Sequence, residues 1–165
     1  MSKIVNVGNI ACGSDQLFLI SGPCVIETED VMLRTAEKLK EVSERLKVPV
    51  IYKSSFTKDN RSSVDFYQGP GLDEGLKVLA RIKKDFGFPI LTDIHYPSQA
   101  KPAAEVVDVL QIPAYLVMQT TLVTEAAKTN VSVVTPLLGE PVEPLAGEKG
   151  STWWRALPPL ASACP

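Results

Sequence analysis

The stretch VPVIYKSSFTKDNRSS, residues 48–63, sets the frame for the whole chain. Its first five residues are a compact apolar run of the composition that favours a buried strand. The next eleven hold two lysines, one arginine and four serines, with Asp59 as the lone acid. Cations and hydroxyls gathered straight after a buried strand suit an anionic ligand. Arginine offers a bidentate fork, lysine a point charge, and serine or asparagine hydrogen bonds. The bland alternative is a solvated polar loop. The position directly after a strand, with no acidic balance except Asp59, favours anion binding, such as phosphate oxygens, by Lys53, Ser55, Lys58, Asn60, Arg61, Ser62 and Ser63.

Outward from this stretch, strand and helix patterns alternate. LFLIS (17–21) reads as a buried strand closed by Gly22-Pro23. Thr28 is an N-cap candidate, with Glu29 and Asp30 in the first turn where carboxylates suit the helix dipole. Met32, Ala36, Leu39, Ser43 and Leu46 follow at helical spacing. After the cationic loop, GPGL (69–72) opens a second helix with Leu72, Leu76, Leu79, Ile82 and Phe86 on one face. FPIL (88–91) is the third strand and TDIHYP (92–97) its loop. A short helix over about 98–105, a strand within VVDVLQI (106–112) and a helix over 119–128 complete the series. Ahead of it, VNVGNIACG predicts a small hairpin.

Such alternation predicts parallel strands covered by helices. The polar residues share a second regularity, since Cys24, Lys53, Asp93, His95 and Gln111 all fall at strand C-terminal ends. Ligand sites of barrels and of open doubly wound sheets lie there alike, so position alone leaves the two open. Asp93 and His95 are two apart and point the same way if the strand continues. They suit orienting a hydroxyl or aldehyde, or tuning a proton transfer. QIPA (111–114) is an apolar strand end with one polar handle. Cys24, taken alone, reads as a buried thiol packing as a small hydrophobe.

Bulk properties narrow the classes. The 165 residues suit one domain, and a net charge of −2 gives no basic field for nucleic acid. No apolar stretch reaches the length of a membrane span, and the N-terminus lacks the core of a signal peptide. Three cysteines argue against a disulfide framework, and the expected location is cytoplasmic. A single histidine excludes a multi-histidine metal site.

The blocks SGPCVIE, YKSSFTKDNRSS, GPGLDEGL, LTDIHYP and DVLQIPAYL, in this order and spacing, resemble the N-terminal half of the 3-deoxy-D-manno-octulosonate 8-phosphate synthase family. The likeness covers about residues 3–129. The related heptulosonate 7-phosphate synthases resemble these blocks less well. The resemblance implies a TIM (β/α)8 barrel with its first four βα units present, in a homotetramer. The implied reaction joins phosphoenolpyruvate to D-arabinose 5-phosphate with release of phosphate, and its product feeds lipopolysaccharide synthesis. By resemblance, Lys53, Ser55 and Lys58 face phosphoenolpyruvate, and Asn60, Arg61 and Ser62 the sugar phosphate. Gln111, Pro113 and Ala114 line the phosphoenolpyruvate pocket, and Asp93 and His95 lie near the sugar. Cys24 matches the cysteine ligand of a divalent metal such as Mn, Zn or Fe in the metal-dependent branch.

The match departs in places. Met118, Gln119, Thr120 and Thr121 stand where the family has Arg-Gln-Thr-Asp, and Gln68 where an arginine precedes GPG. From Asn130 the pattern changes: residues 130–165 hold six of the chain's 13 prolines, and the family's further metal ligands are not recognisable there. The sequence is therefore expected to divide into a half-barrel over 1–129 and a poorly ordered tail over 130–165, as a truncated or frameshifted frame would give. The alternative to a synthase is an incompetent fragment that binds phosphates or a full-length subunit.

Overall fold

The computed structural model describes residues 4–12, 14–63 and 65–131. The expected tail lies outside the described residues apart from its first two positions.

A hairpin opens the chain: β1 (Val5–Val7) pairs antiparallel with β2 (Ile10–Cys12), as the sequence predicts. Then come β3 (Leu19–Ser21), α1 (Glu29–Leu46), β4 (Val50–Lys53), α2 (Leu72–Phe86), β5 (Ile90–Asp93), α3 (Pro97–Ala104), β6 (Val109–Gln111) and α4 (Thr120–Ala127). β3, β4, β5 and β6 lie side by side in that order, all parallel. Four parallel strands in sequential order with alternating helices have the repeat of a (β/α)8 barrel, and the sheet is open among the described residues.

Local signals explain the elements. Thr28 caps α1 by accepting from the Val31 N–H, and Lys47 ends it in the left-handed conformation. Gly87 closes α2 with a positive φ of 72°. Side chains alternate across the sheet. Val50, Tyr52, Ile90 and Ile94 pack under the helices with Met32, Ala36, Leu79 and Ile82. On the opposite face Ile51 and Leu91 pack on Ile10 of the hairpin, with Val7, Phe18 and Val109 around them. The Tyr52 hydroxyl crosses the outer layer and donates to the Met32 carbonyl at 3.1 Å.

Three expectations need correcting. Thr92 and Asp93 belong to β5 rather than to the loop after it, and Lys53 is the last residue of β4. Thr92 is held in the strand layer because its hydroxyl donates to the Ser54 carbonyl. LFLIS is not buried: Leu17 is 75% exposed, Leu19 40% and Ile20 48%, because β3 is the edge strand and nothing among the described residues covers its free side. Leu46 is exposed at the last turn of α1, where the helical stripe has run past the sheet.

Candidate functional site

The inner face decides what lies at the strand ends. Lys53 follows Ile51 by two residues, Asp93 follows Leu91, and Gln111 follows Val109, so all three share the face that the hairpin closes from below. Register then brings them together: Asp93 is opposite Gln111, and Ser55 bridges to Val25 beyond β3. Gly22 permits the closest approach between β3 and β4, since a Cβ there would lie 2.1 Å from the Lys53 carbonyl oxygen. Ser54 ties the same strand ends by donating to the Pro23 carbonyl at 2.7 Å.

Asp93 is the hub. Its Oδ1 accepts from the Ser55 hydroxyl, and that hydroxyl oxygen accepts from Lys53 Nζ at 3.0 Å. Lys53 Nζ is 3.8 Å from Oδ1 and Lys58 Nζ 3.9 Å from Oδ2. His95 Nε2 is 3.2 Å from Oδ2. Burial works against ionisation of Asp93, but hydrogen bonds from His95 and Ser55 and the charges of Lys53 and Lys58 outweigh it, holding the carboxyl down at about 2. Burial also pulls the Lys53 ammonium below its ordinary range, opposed by Asp93. Two cations thus flank one buried anion, and the cluster keeps a net positive charge. Such a cluster can draw in an anionic oxygen and supply it with ready-made donors.

The sequence candidates separate into two groups. Lys53, Ser55, Lys58, Asp93 and His95 form this cluster, with Gln111 beside it at the end of β6. Gln111 is exposed, and its carbonyl accepts from the Ile94 N–H. Pro113 is buried, and Ala114 starts the short 3-10 turn Ala114–Leu116. Asn60, Arg61 and Ser62 lie further out on the exposed loop. Arg61 donates from Nε to the Tyr67 carbonyl and lines a cavity of about 540 Å³ with Val25, Glu27, Thr28, Phe66 and Tyr67.

Cys24 is exposed at the end of β3, which overturns its reading as a buried packing thiol. Among the described residues no three His, Cys, Asp or Glu side chains come together as a metal site. The one histidine is turned to Asp93. The donor set of the described residues therefore does not fit the divalent metal expected for Cys24. Two aromatic residues that sequence reasoning missed also approach the site. Burial raises the Tyr115 phenol, with the charges of Asp59 and Asp93 adding to it, and Asp59 raises that of Tyr96. Tyr96 stands within the quoted TDIHYP block, but no periodicity marks it as facing Asp59.

Parallel β/α units with their charged side chains at the strand C-termini define an α/β protein of the barrel or doubly wound class, and the family match selects the (β/α)8 barrel. The chain belongs to the DAHP synthetase I family, whose model matches residues 2–135. It is 50% identical over 131 residues to the 2-dehydro-3-deoxyphosphooctonate aldolase of Trichlorobacter lovleyi, covering 79% of this chain and 48% of that protein. The proteins of the same name from Geobacter metallireducens and Bdellovibrio bacteriovorus are 48% and 47% identical, over 81% and 80% of this chain and 49% and 46% of theirs. The chain thus spans about half the length of these curated relatives.

Proposed function

We propose that the chain serves the condensation of phosphoenolpyruvate with D-arabinose 5-phosphate, giving 3-deoxy-D-manno-octulosonate 8-phosphate and inorganic phosphate. The observation that carries this is the pair of ammonium groups, Lys53 and Lys58, held 3.8 and 3.9 Å from one buried carboxylate. Holding two anionic substrates together requires fixed cations that offset their repulsion. In the proposed roles Lys53, Ser55 and Lys58 take phosphoenolpyruvate, with Gln111, Pro113 and Ala114 lining its side. Asn60, Arg61 and Ser62 take the sugar phosphate, and Asp93 and His95 address the sugar. C3 of phosphoenolpyruvate attacks the aldehyde carbon, whose oxygen gains a proton. Water adds at C2 and phosphate leaves. Lys53, lowered by burial, and His95 are the groups placed to move protons. A cytoplasmic, homotetrameric enzyme goes with this reading.

The test is calorimetric titration of the chain with each substrate, followed by a phosphate-release assay with both. Phosphoenolpyruvate binding that Lys53→Ala and Lys58→Ala both weaken is expected. Binding indifferent to both lysines rejects the site. A second reading is anion binding without turnover, favoured by the sheet being open among the described residues. It is distinguished by substrate binding with no phosphate released. A heptulosonate-type activity is distinguished by which sugar phosphate supports release.

A further inference from the structure

Asp59 is the one acid in a cationic loop, and none of the roles above uses it. Its Oδ2 lies 3.7 Å from Nδ1 of His95, beyond hydrogen-bond range. That Nδ1 is a buried polar atom with no partner among the described residues, on a side chain only 3% exposed. A buried nitrogen without a partner has lost its hydration and gained nothing in return, so a hydrogen bond there is strongly favoured. The rest of the histidine is fixed. Nε2 sits 3.2 Å from Asp93, and the backbone N–H donates to Gln99 Oε1 of α3 at 2.8 Å. The ring cannot turn Nδ1 elsewhere without leaving Asp93. Asp59 sits on the loop after β4 with its side chain 26% exposed, so a sub-ångström shift of its carboxylate meets little packing. Its carboxylate also lies beside Tyr96, whose phenol it raises.

We propose that Asp59 is a positioning residue that closes onto Nδ1–H of His95, so that the imidazole bridges two carboxylates and is locked in its orientation toward Asp93. The closure needed is under about 1 Å. The chain neighbours of Asp59 couple it to ligand arrival. Lys58 precedes it and reaches Asp93, and Arg61 follows two residues later. An anion that draws those two cations inward carries Asp59 with them. The locking deepens the proposed function and rests on it for the nature of the anion; the ring geometry stands independently.

The chain has a single histidine, so one imidazole gives the whole ring-nitrogen spectrum. Long-range proton–nitrogen correlation spectra of the full chain, with and without saturating inorganic phosphate, read which ring nitrogens bear hydrogen. The unaltered protein with phosphate is expected to show hydrogen on both nitrogens. Asp59→Asn is expected to lose the Nδ1–H signal and keep Nε2–H, and Asp59→Glu to restore it. An amide spectrum otherwise superimposable on the parent shows that the fold is kept, as an exposed position predicts. An Nδ1–H signal that survives in Asp59→Asn overturns the proposal, as does its absence from the unaltered protein. Should phosphate move no resonance of Lys58 or Arg61, the anion-site reading fails. The Asp59→Asn comparison without phosphate then still decides the locking.

Discussion

Replacing Asp93 by asparagine keeps the volume at the centre of the cluster and removes its charge. Four groups lose their common partner: the Ser55 hydroxyl, His95 Nε2 and the ammonium groups of Lys53 and Lys58. The magnitude follows from linkage. The carboxyl titrates at about 2 in the fold against an ordinary 3.8, so at neutral pH its ionised form contributes about 2 kcal/mol. The sign is that of a depressed carboxyl: the contribution is complete above pH ~5 and lost as pH falls toward 2. Urea unfolding followed by helical circular dichroism is expected to place Asp93→Asn about 2 kcal/mol below the parent at pH 7. The two curves are expected to converge in acid. A gap that stays constant from pH 7 to pH ~2 would show that the asparagine harms packing and that the charge network contributes nothing.

Three further outcomes follow from the same geometry. Gly22→Ala places a Cβ 2.1 Å from the Lys53 carbonyl, and is expected to cost about 3 kcal/mol or prevent folding; a protein as stable as the parent in urea would contradict the close approach. Tyr52→Phe removes the hydroxyl that donates to the Met32 carbonyl and is expected to lower unfolding free energy by about 1 kcal/mol with an unchanged denaturant slope. Lys58→Ala is expected to weaken phosphoenolpyruvate binding about tenfold by calorimetry, and a loss below about twofold would place the anion elsewhere.

Much of the fold is legible locally. Thr28 announces α1 because a cap acts within one turn, and the stripe of Leu76, Leu79 and Ile82 announces the buried face of α2. That Asp93 and His95 share a direction is also legible, because side-chain alternation is a property of two residues. Contacts across strands are less so. Nothing in the spacing of Ser55 and Asp93 says that they meet, since their approach depends on the register of β4 against β5. The exposure of Leu19 and Ile20 is not legible for a related reason: an apolar run reports that a strand forms, while its burial depends on what lies on its free side. Cys24 and Asp59 carry the same lesson at the site. Their surroundings are set by residues from other strands and loops, so their identity alone could not place one in solvent and the other beside His95.

The hairpin under the inner face has a consequence for traffic. With Ile10 seated on Ile51 and Leu91, the lower end of this face is stoppered by hydrocarbon, and the charged groups stand only at the other end. The hairpin therefore bars approach to Lys53 and Lys58 from below, and a ligand reaches them from the strand C-terminal side or along the open sheet. The stopper also keeps water from approaching the cations from behind, so their pull is felt mainly at the mouth. A charge introduced at Ile10 would breach this dead end without touching a single ligand-facing side chain.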